Sequence, residues 1–311
     1  MTLRLTGYVN LPPHRCPSGF DHAAVHRETG RLYVAHTAND ALDIIDLDIE
    51  RYVGTLEGLT GVAGALVDEG SGLIFTSNRG EDTVAIVHPD HPADLAKVRV
   101  GVRPNGLAFD PGRGTLLAAN IGDPADPASQ TVSVVDVERG ALVGSVPLPG
   151  RPRWAVFDPS SDAFFVNIAD PAVIVVLAGA DPSHVARDIA IPAAGPHGLD
   201  IDHDGSLVCA ADAGRVVRLD GDGRVVVEGP LSGAPDVLFI DHALRLVYVA
   251  VGDPGVIDVL DADTLIPIAA VATEPGAHTI GFDPDRHRVY AFLPETHRAA
   301  VFAASRAALR G

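Results

Sequence analysis

The amino-acid sequence predicts an all-β protein, a seven-bladed β-propeller with four antiparallel strands per blade. Three observations carry this expectation. A unit of about 42 residues recurs seven times, each unit reads as four short strands, and the last unit lacks a strand that the N-terminus can supply. The copies align in register: "FDHAAVHRETGRLYVAH" from Phe20, "VAGALVDEGSGLIFTSN" from Val62, "PNGLAFDPGRGTLLAAN" from Pro104 and "RWAVFDPSSDAFFVN" from Arg153. "PHGLDIDHDGSLVCAAD" from Pro196, "PDVLFIDHALRLVYVAV" from Pro235 and "AHTIGFDPDRHRVYAFL" from Ala277 complete the set. A fixed period in this range marks a solenoid, array or propeller.

The third unit shows the strands most clearly. "GLAFD" runs into a turn at Pro111-Gly112, followed by "TLLAAN", "TVSVVDV" and "ALVGSVPLP". Branched apolar residues alternating between Gly, Pro, Asn and Asp turns are strand signals. The polar positions before each first strand are Asp21, Ala63, Asn105, Arg153, His197, Asp236 and His278, spaced by 42, 42, 48, 44, 39 and 42 residues. After "AAVFAAS" only "RAALRG" remains, so unit seven has no fourth strand. "RLTGYVNLP" from Arg4 matches "ALVGSVPLP" from Ala141, central glycine included. The first strand is therefore expected to complete the last blade, which hides the edges an open sheet would expose. Residues 1–311 are read as one propeller domain.

Composition narrows the partners. The formal net charge of −18 disfavours a nucleic-acid backbone or an anionic membrane surface, both of which call for a basic face. No apolar run is long enough to span a bilayer, and the N-terminus enters a strand without an apolar leader. A cytoplasmic location is the expectation. Cys16 and Cys209 belong to blades one and five and are not expected to pair.

The "PNGLAFDP…LLAAN…VSVVDV" pattern resembles the YVTN family of seven-bladed propellers over residues 3–303. The wider group that it resembles holds lactonases, a lyase, cycloisomerases, surface-layer proteins and electron-transfer subunits. The resemblance thus implies architecture and leaves activity open.

In a propeller the loops entering each first strand and those joining second to third strands open on one face around the channel. The second ring reads His36, Asn78, Asn120, Asn167, Asp212, Val251 and Leu293. Core positions repeat between units, whereas the first ring changes residue from blade to blade. Variation on a face that converges on one cavity points to function. His197, Asp236, His278 and Asp21 fall on neighbouring blades and form a candidate site for a divalent metal: zinc, another transition metal, or magnesium or manganese. The same residues also suit a water-lined channel or metal-free acid–base work. "PNG" at Asn105 and "PDV" at Asp236 resemble the metal-binding loops of the lactonase-like propellers.

Arg153 sits at a ring position, with Arg79, Arg103 and Arg151 in nearby loops; guanidinium groups there suit a carboxylate or phosphate. His22, His36 and Arg153 are the candidate catalytic residues, the histidines for proton transfer. Arg79, Arg103, Asn105, Asn120 and Asn167 are candidate substrate contacts, the Asn positions also being suited to turns. Trp154 is expected to pack between blades. His26, His203, His242 and His287 are placed on the opposite, distal face as surface residues. No phosphate loop, H-E-x-x-H or nucleophile elbow occurs. The expected function is a metal-dependent lyase or lactonase-type hydrolase acting on a small anionic metabolite. The alternative is a non-catalytic propeller that binds protein or ligand.

Overall fold

The structure, a computed structural model, describes residues 2–17 and 19–305; the C-terminal "RAALRG" lies outside the described residues. It contains seven four-stranded antiparallel sheets, one for each sequence unit. Blade one is β2 (Ala23–His26), β3 (Arg31–His36), β4 (Ala41–Asp46) and β5 (Arg51–Glu57), in that order from the channel outward. Blades two to six repeat this order. Blade seven is built from β26 (Ile280–Asp283), β27 (Arg288–Leu293) and β28 (Arg298–Ser305), with β1 (Thr2–Asn10) as its outermost strand. β1 and β28 run antiparallel from Thr2 opposite Ser305 to Asn10 opposite Arg298, with a register shift between Leu5 and Gly7. Gly144 of blade three lies beside a similar shift, which explains why the two segments matched glycine for glycine. Among the described residues no helix is long and apolar enough to cross a membrane.

The core is not one cluster but seven, each lying between two adjacent blades. Leu32, Val34 and Ile45 of blade one pack on Tyr290, Phe292 and Val301 of blade seven, while Ala35 and Leu42 pack on Val62 and Ile74 of blade two. Inner strands are therefore buried on both faces and read as unbroken apolar runs, as in "LYVA" and "VYVAV". Outer strands face solvent on one side. β5 is exposed or half-buried throughout.

One local device recurs at the channel. The first strand breaks register just after its opening residue in five blades: after Pro104, Pro152, Pro196, Pro235 and Val62. Proline offers no amide to the ladder. The next residue is released from pairing, and in these blades it is Asn105, Arg153, His197, Asp236 and Ala63. In three of these blades a glycine of the preceding blade makes room for its carbonyl: Gly64 for Asn105, Gly106 for Arg153 and Gly198 for Asp236. A Cβ on Gly106 would lie 2.3 Å from the Arg153 carbonyl oxygen, and one on Gly198 would lie 2.5 Å from that of Asp236. The Pro-x-Gly signature is thus a contact between blades as well as a turn.

Two outcomes follow. Gly106→Ala should destabilise the fold by about 1–3 kcal/mol, the usual range for overpacking against an atom that cannot move aside. Gly54→Ala, where the added methyl meets nothing within 4 Å, should leave the melting temperature nearly unchanged. Equal melting of the two variants would contradict the contact. Second, removing residues 1–12 should uncover β28 and produce aggregation, measured by light scattering; unchanged solubility and melting would contradict closure by β1.

Candidate functional site at the channel mouth

The released ring residues meet in a belt to which every blade contributes. Arg79 of blade two donates to Asp21 of blade one at 3.0 Å and also to the side-chain oxygen of Asn105 in blade three. The Asn105 amide nitrogen lies 3.5 Å from the carbonyl of Arg153 in blade four. The Arg153 guanidinium reaches Asp212 of blade five at 3.3 Å. His197, also of blade five, places Nδ1 2.8 Å from Asp212 and Nε2 3.2 Å from Asp236 of blade six. His278 of blade seven places Nε2 3.9 Å from the other Asp236 oxygen, while its Nδ1 bonds the Gly276 carbonyl. The structure therefore brings together Asp21, His22, Arg79, Asn105, Arg153, His197, Asp236 and His278.

Electrostatics divide the belt. Burial alone would lower the basicity of His197, but its bonds to Asp212 and Asp236 and the Asp236 charge outweigh it, so the pKa is pushed up to about 9. Burial would raise Asp236, yet His197 and the neighbouring His278 and His22 hold its carboxyl well below the usual range. His197 Nε2 also lies 3.2 Å from Arg153 Nη1. Two carboxylates against one guanidinium favour the imidazolium, with both cations gathered on Asp212. His22 is driven the other way: burial outweighs Asp21 and Asp236 and lowers its pKa.

The opposite arc gathers arginines. The Arg151 guanidinium is lowered by burial and by the charges of Arg153, Arg79 and Arg103, with Asp212 acting against them. Three other guanidinium groups thus lie within electrostatic range of Arg151. Arg103 enters this arc through a left-handed backbone (φ 54°), its amide bonded to Asp82.

The remaining expected residues are placed elsewhere. His36 is fully buried behind the mouth, with Nδ1 2.6 Å from Asp43 and its ring against Phe20 and His14. Asn120 is fully buried and donates to Thr131 and Ser133; Asn167 is fully buried and donates to the His197 and Gly198 carbonyls. Asn167 acts on the site by fixing the backbone of His197. His26 departs from its expected surface position, being 1% exposed beside Glu69. Cys16 and Cys209 are not joined in a disulfide, and burial pushes the Cys209 thiol up to about 12.

Asp236 touches both His197 and His278, but these three do not close on one point. Among the described residues, the only His, Cys, Asp or Glu trio with all donor atoms within 4.8 Å is Asp202, His203 and His242 on the distal face. There Asp202 is held by Arg245 at 2.7 Å and by Arg218 at 2.8 Å; burial would raise its carboxyl, but the bonds from Arg245, His203 and His242 keep it far below the usual range. Two guanidinium groups already neutralise that carboxylate. Asp21 spends its oxygens on Arg79 and His22.

Two features escaped the residue pattern. Asp212 stands where blades two, three and four carry Asn78, Asn120 and Asn167, so its departure from the repeat was a readable signal. Trp154 crosses the channel: it packs against apolar clusters on two sides, and its ring centre lies 4.2 Å from that of His22. Together the two rings stand between the belt and a cavity that opens toward the other face.

No family model matches the chain, and no curated protein matches it in sequence. Solved structures match in fold. A chain of Kuenenia stuttgartiensis hydrazine synthase superposes with a TM-score of 0.81 at 16% identity, covering 94% of this chain and 97% of that one. A chain of a mitotic checkpoint complex superposes at 0.82 and 10% identity, covering 97% and 92% respectively. At these identities the likeness is one of fold.

Titration of the imidazole signals by NMR should place His197 near pH 9 and move it toward 6.5 in Asp212→Asn. The raised pKa stabilises the folded state fully below the unfolded value of about 6.5, and that contribution fades as pH rises through 9. His197→Gln should therefore flatten part of the decline in melting temperature over that window. A wild-type midpoint at or below 6.5 would contradict the assignment.

Proposed function

We propose that the channel mouth binds a small organic anion, a carboxylate or phosphate ester, and acts on it by proton transfer as a lyase or hydrolase. The observation that supports this most is the arc of Arg79, Arg103, Arg151 and Arg153, crowded together in a chain with only 23 basic residues against 41 acidic ones. Burial and the charges of the other three lower the Arg151 guanidinium, and a bound anion would relieve it. Guanidinium forks match planar carboxylate and phosphate oxygens.

Across the mouth stands His197, a proton donor with Asp212 and Asp236 to stabilise its charge. An anion held by the arginines presents its reacting end toward His197, which can protonate a leaving oxygen or a carbonyl. After that transfer the neutral imidazole regains a proton from water, and Asp212 and Asp236 again hold its charge. Asn167 and Asp212 set the position of the ring, and Asn105 orients Arg79. A divalent cation at His197, Asp236 and His278 would have to displace the His197 proton, since a ligating imidazole must be neutral. The donor arrangement favours the proton over the metal. Metal analysis of untagged protein separates the two versions: stoichiometric zinc, manganese or another divalent ion lost in His278→Ala would favour the metal.

A second reading, a protein-binding propeller, draws support from apolar side chains exposed on outer strands. Val53, Leu142, Val143, Val226 and Ile266 are each 45% or more exposed. These lie on the rim and not at the mouth.

Calorimetric titration with citrate and inorganic phosphate tests the anion site. Arg153→Ala and Arg151→Ala should each weaken binding by about tenfold or more, in line with the 1.5–3 kcal/mol typical of hydrogen bonds to charged groups. His197→Gln should lower turnover of lactone or hydroxy-acid substrates by about 10²–10⁴ while leaving anion binding nearly intact. No anion binding by the wild type, or none of this loss in the variants, would remove the basis of the proposal.

A further inference from the structure

The channel has a second chamber below the His22–Trp154 pair, and its chemistry is opposite to that of the mouth. Its volume is about 520 Å³, within the range of roughly 300–1,000 Å³ common for small-molecule sites. First strands from all seven blades line it. The wall is aromatic and aliphatic: Phe109, Phe157, Phe239 and Phe282 face the same space as Trp154. Charged groups that line it are mostly acidic, with Asp200 in the wall and Asp68 and Glu69 toward the distal opening. The Arg27 lining group is already bound by Asp285 through two nitrogens, and His242 is turned onto Asp202 at 3.1 Å.

Asp200 is the decisive residue. It is enclosed by protein yet keeps a partly exposed surface in the chamber. Its oxygens accept the Ile201 amide at 2.8 Å and the Ile240 amide at 2.9 Å. A carboxylate offers about four acceptor positions, so two remain for a donor in the chamber. Burial pushes its pKa up to about 6 despite those two amides, so the ionised form stands in an environment that favours a compensating cation. The repeat marks it as unusual: the matching position in blade three is Ala108, within the apolar wall.

We propose that this chamber is a binding site for a small organic cation, an ammonium group carried on an aromatic or alkyl body. The ammonium would donate to the open side of Asp200, and the body would pack on the phenylalanines and Trp154. Aromatic faces add attraction for the cation. The site is separate from the anion site at the mouth.

Trp154 is the only tryptophan and forms the chamber's inner end, so its fluorescence reports occupancy. The test titrates the full chain with phenethylammonium, its neutral counterpart 2-phenylethanol, and the anion 3-phenylpropionate. The cation should change Trp154 emission and bind about tenfold or more tighter than the alcohol, with the anion weakest. Asp200→Asn should bring the cation to the level of the alcohol. Phe239→Ala, which enlarges the chamber and removes an aromatic wall, should weaken cation and alcohol alike. If Asp200→Asn does not fold, the wild-type ranking and the Phe239→Ala result decide the matter. Equal affinity for cation and alcohol, tighter binding of the anion, unchanged emission up to millimolar ligand, or a folded Asp200→Asn that binds like wild type would each overturn the assignment.

Discussion

The channel wall depends on the close approach of one blade's backbone to the next where the first strand leaves its ladder. Proline withholds an amide, the following residue leaves the ladder, and in three blades its carbonyl presses on a glycine of the neighbouring blade. Gly64 receives the Asn105 carbonyl, Gly106 that of Arg153 and Gly198 that of Asp236. The same step that joins the blades also frees the side chains that form the belt. Stability and site geometry are therefore coupled at these positions, because a shift of the glycine backbone would move the ring residue packed on it.

That coupling explains how a repeated architecture holds a site that does not repeat. The apolar layers between blades are interchangeable in character, and seven of them share the task of holding the ring. Channel-facing positions are free of that task. They can carry arginine on one arc and histidine with carboxylate on the other without disturbing the layers. Burial then sharpens the contrast: a histidine flanked by two carboxylates becomes more basic, while His22, more deeply enclosed, becomes less so. The His22–Trp154 contact divides the channel into a polar mouth and an aromatic chamber with different electrostatic demands.

The fold was readable because its signals are local and multiplied by seven. Strand alternation, turn residues and a constant period recur until chance is excluded, and the missing strand of blade seven has a matching segment at the N-terminus. The ring residues were readable for the same reason, since register alone assigns Asn105, Arg153, His197 and Asp236 to equivalent places. Register could not tell which side chains turn toward the mouth. His36 and Asn167 occupy the same repeat position; one is buried against Asp43 and the other bonds the His197 backbone. His26 was assigned by register to a surface turn and is instead buried.

Sequence by itself determined the seven blades, their closure by the first strand, and the grouping of arginine on one arc and histidine with carboxylate on the other. These follow from periodicity and order along the chain. Only the tertiary structure decided that His197 is shared by Asp212 and Asp236, that the expected metal donors do not converge, and that Asp200 faces an aromatic chamber. Distances between side chains from different blades, and the burial that sets their charge, arise only when the ring closes and have no counterpart along the chain.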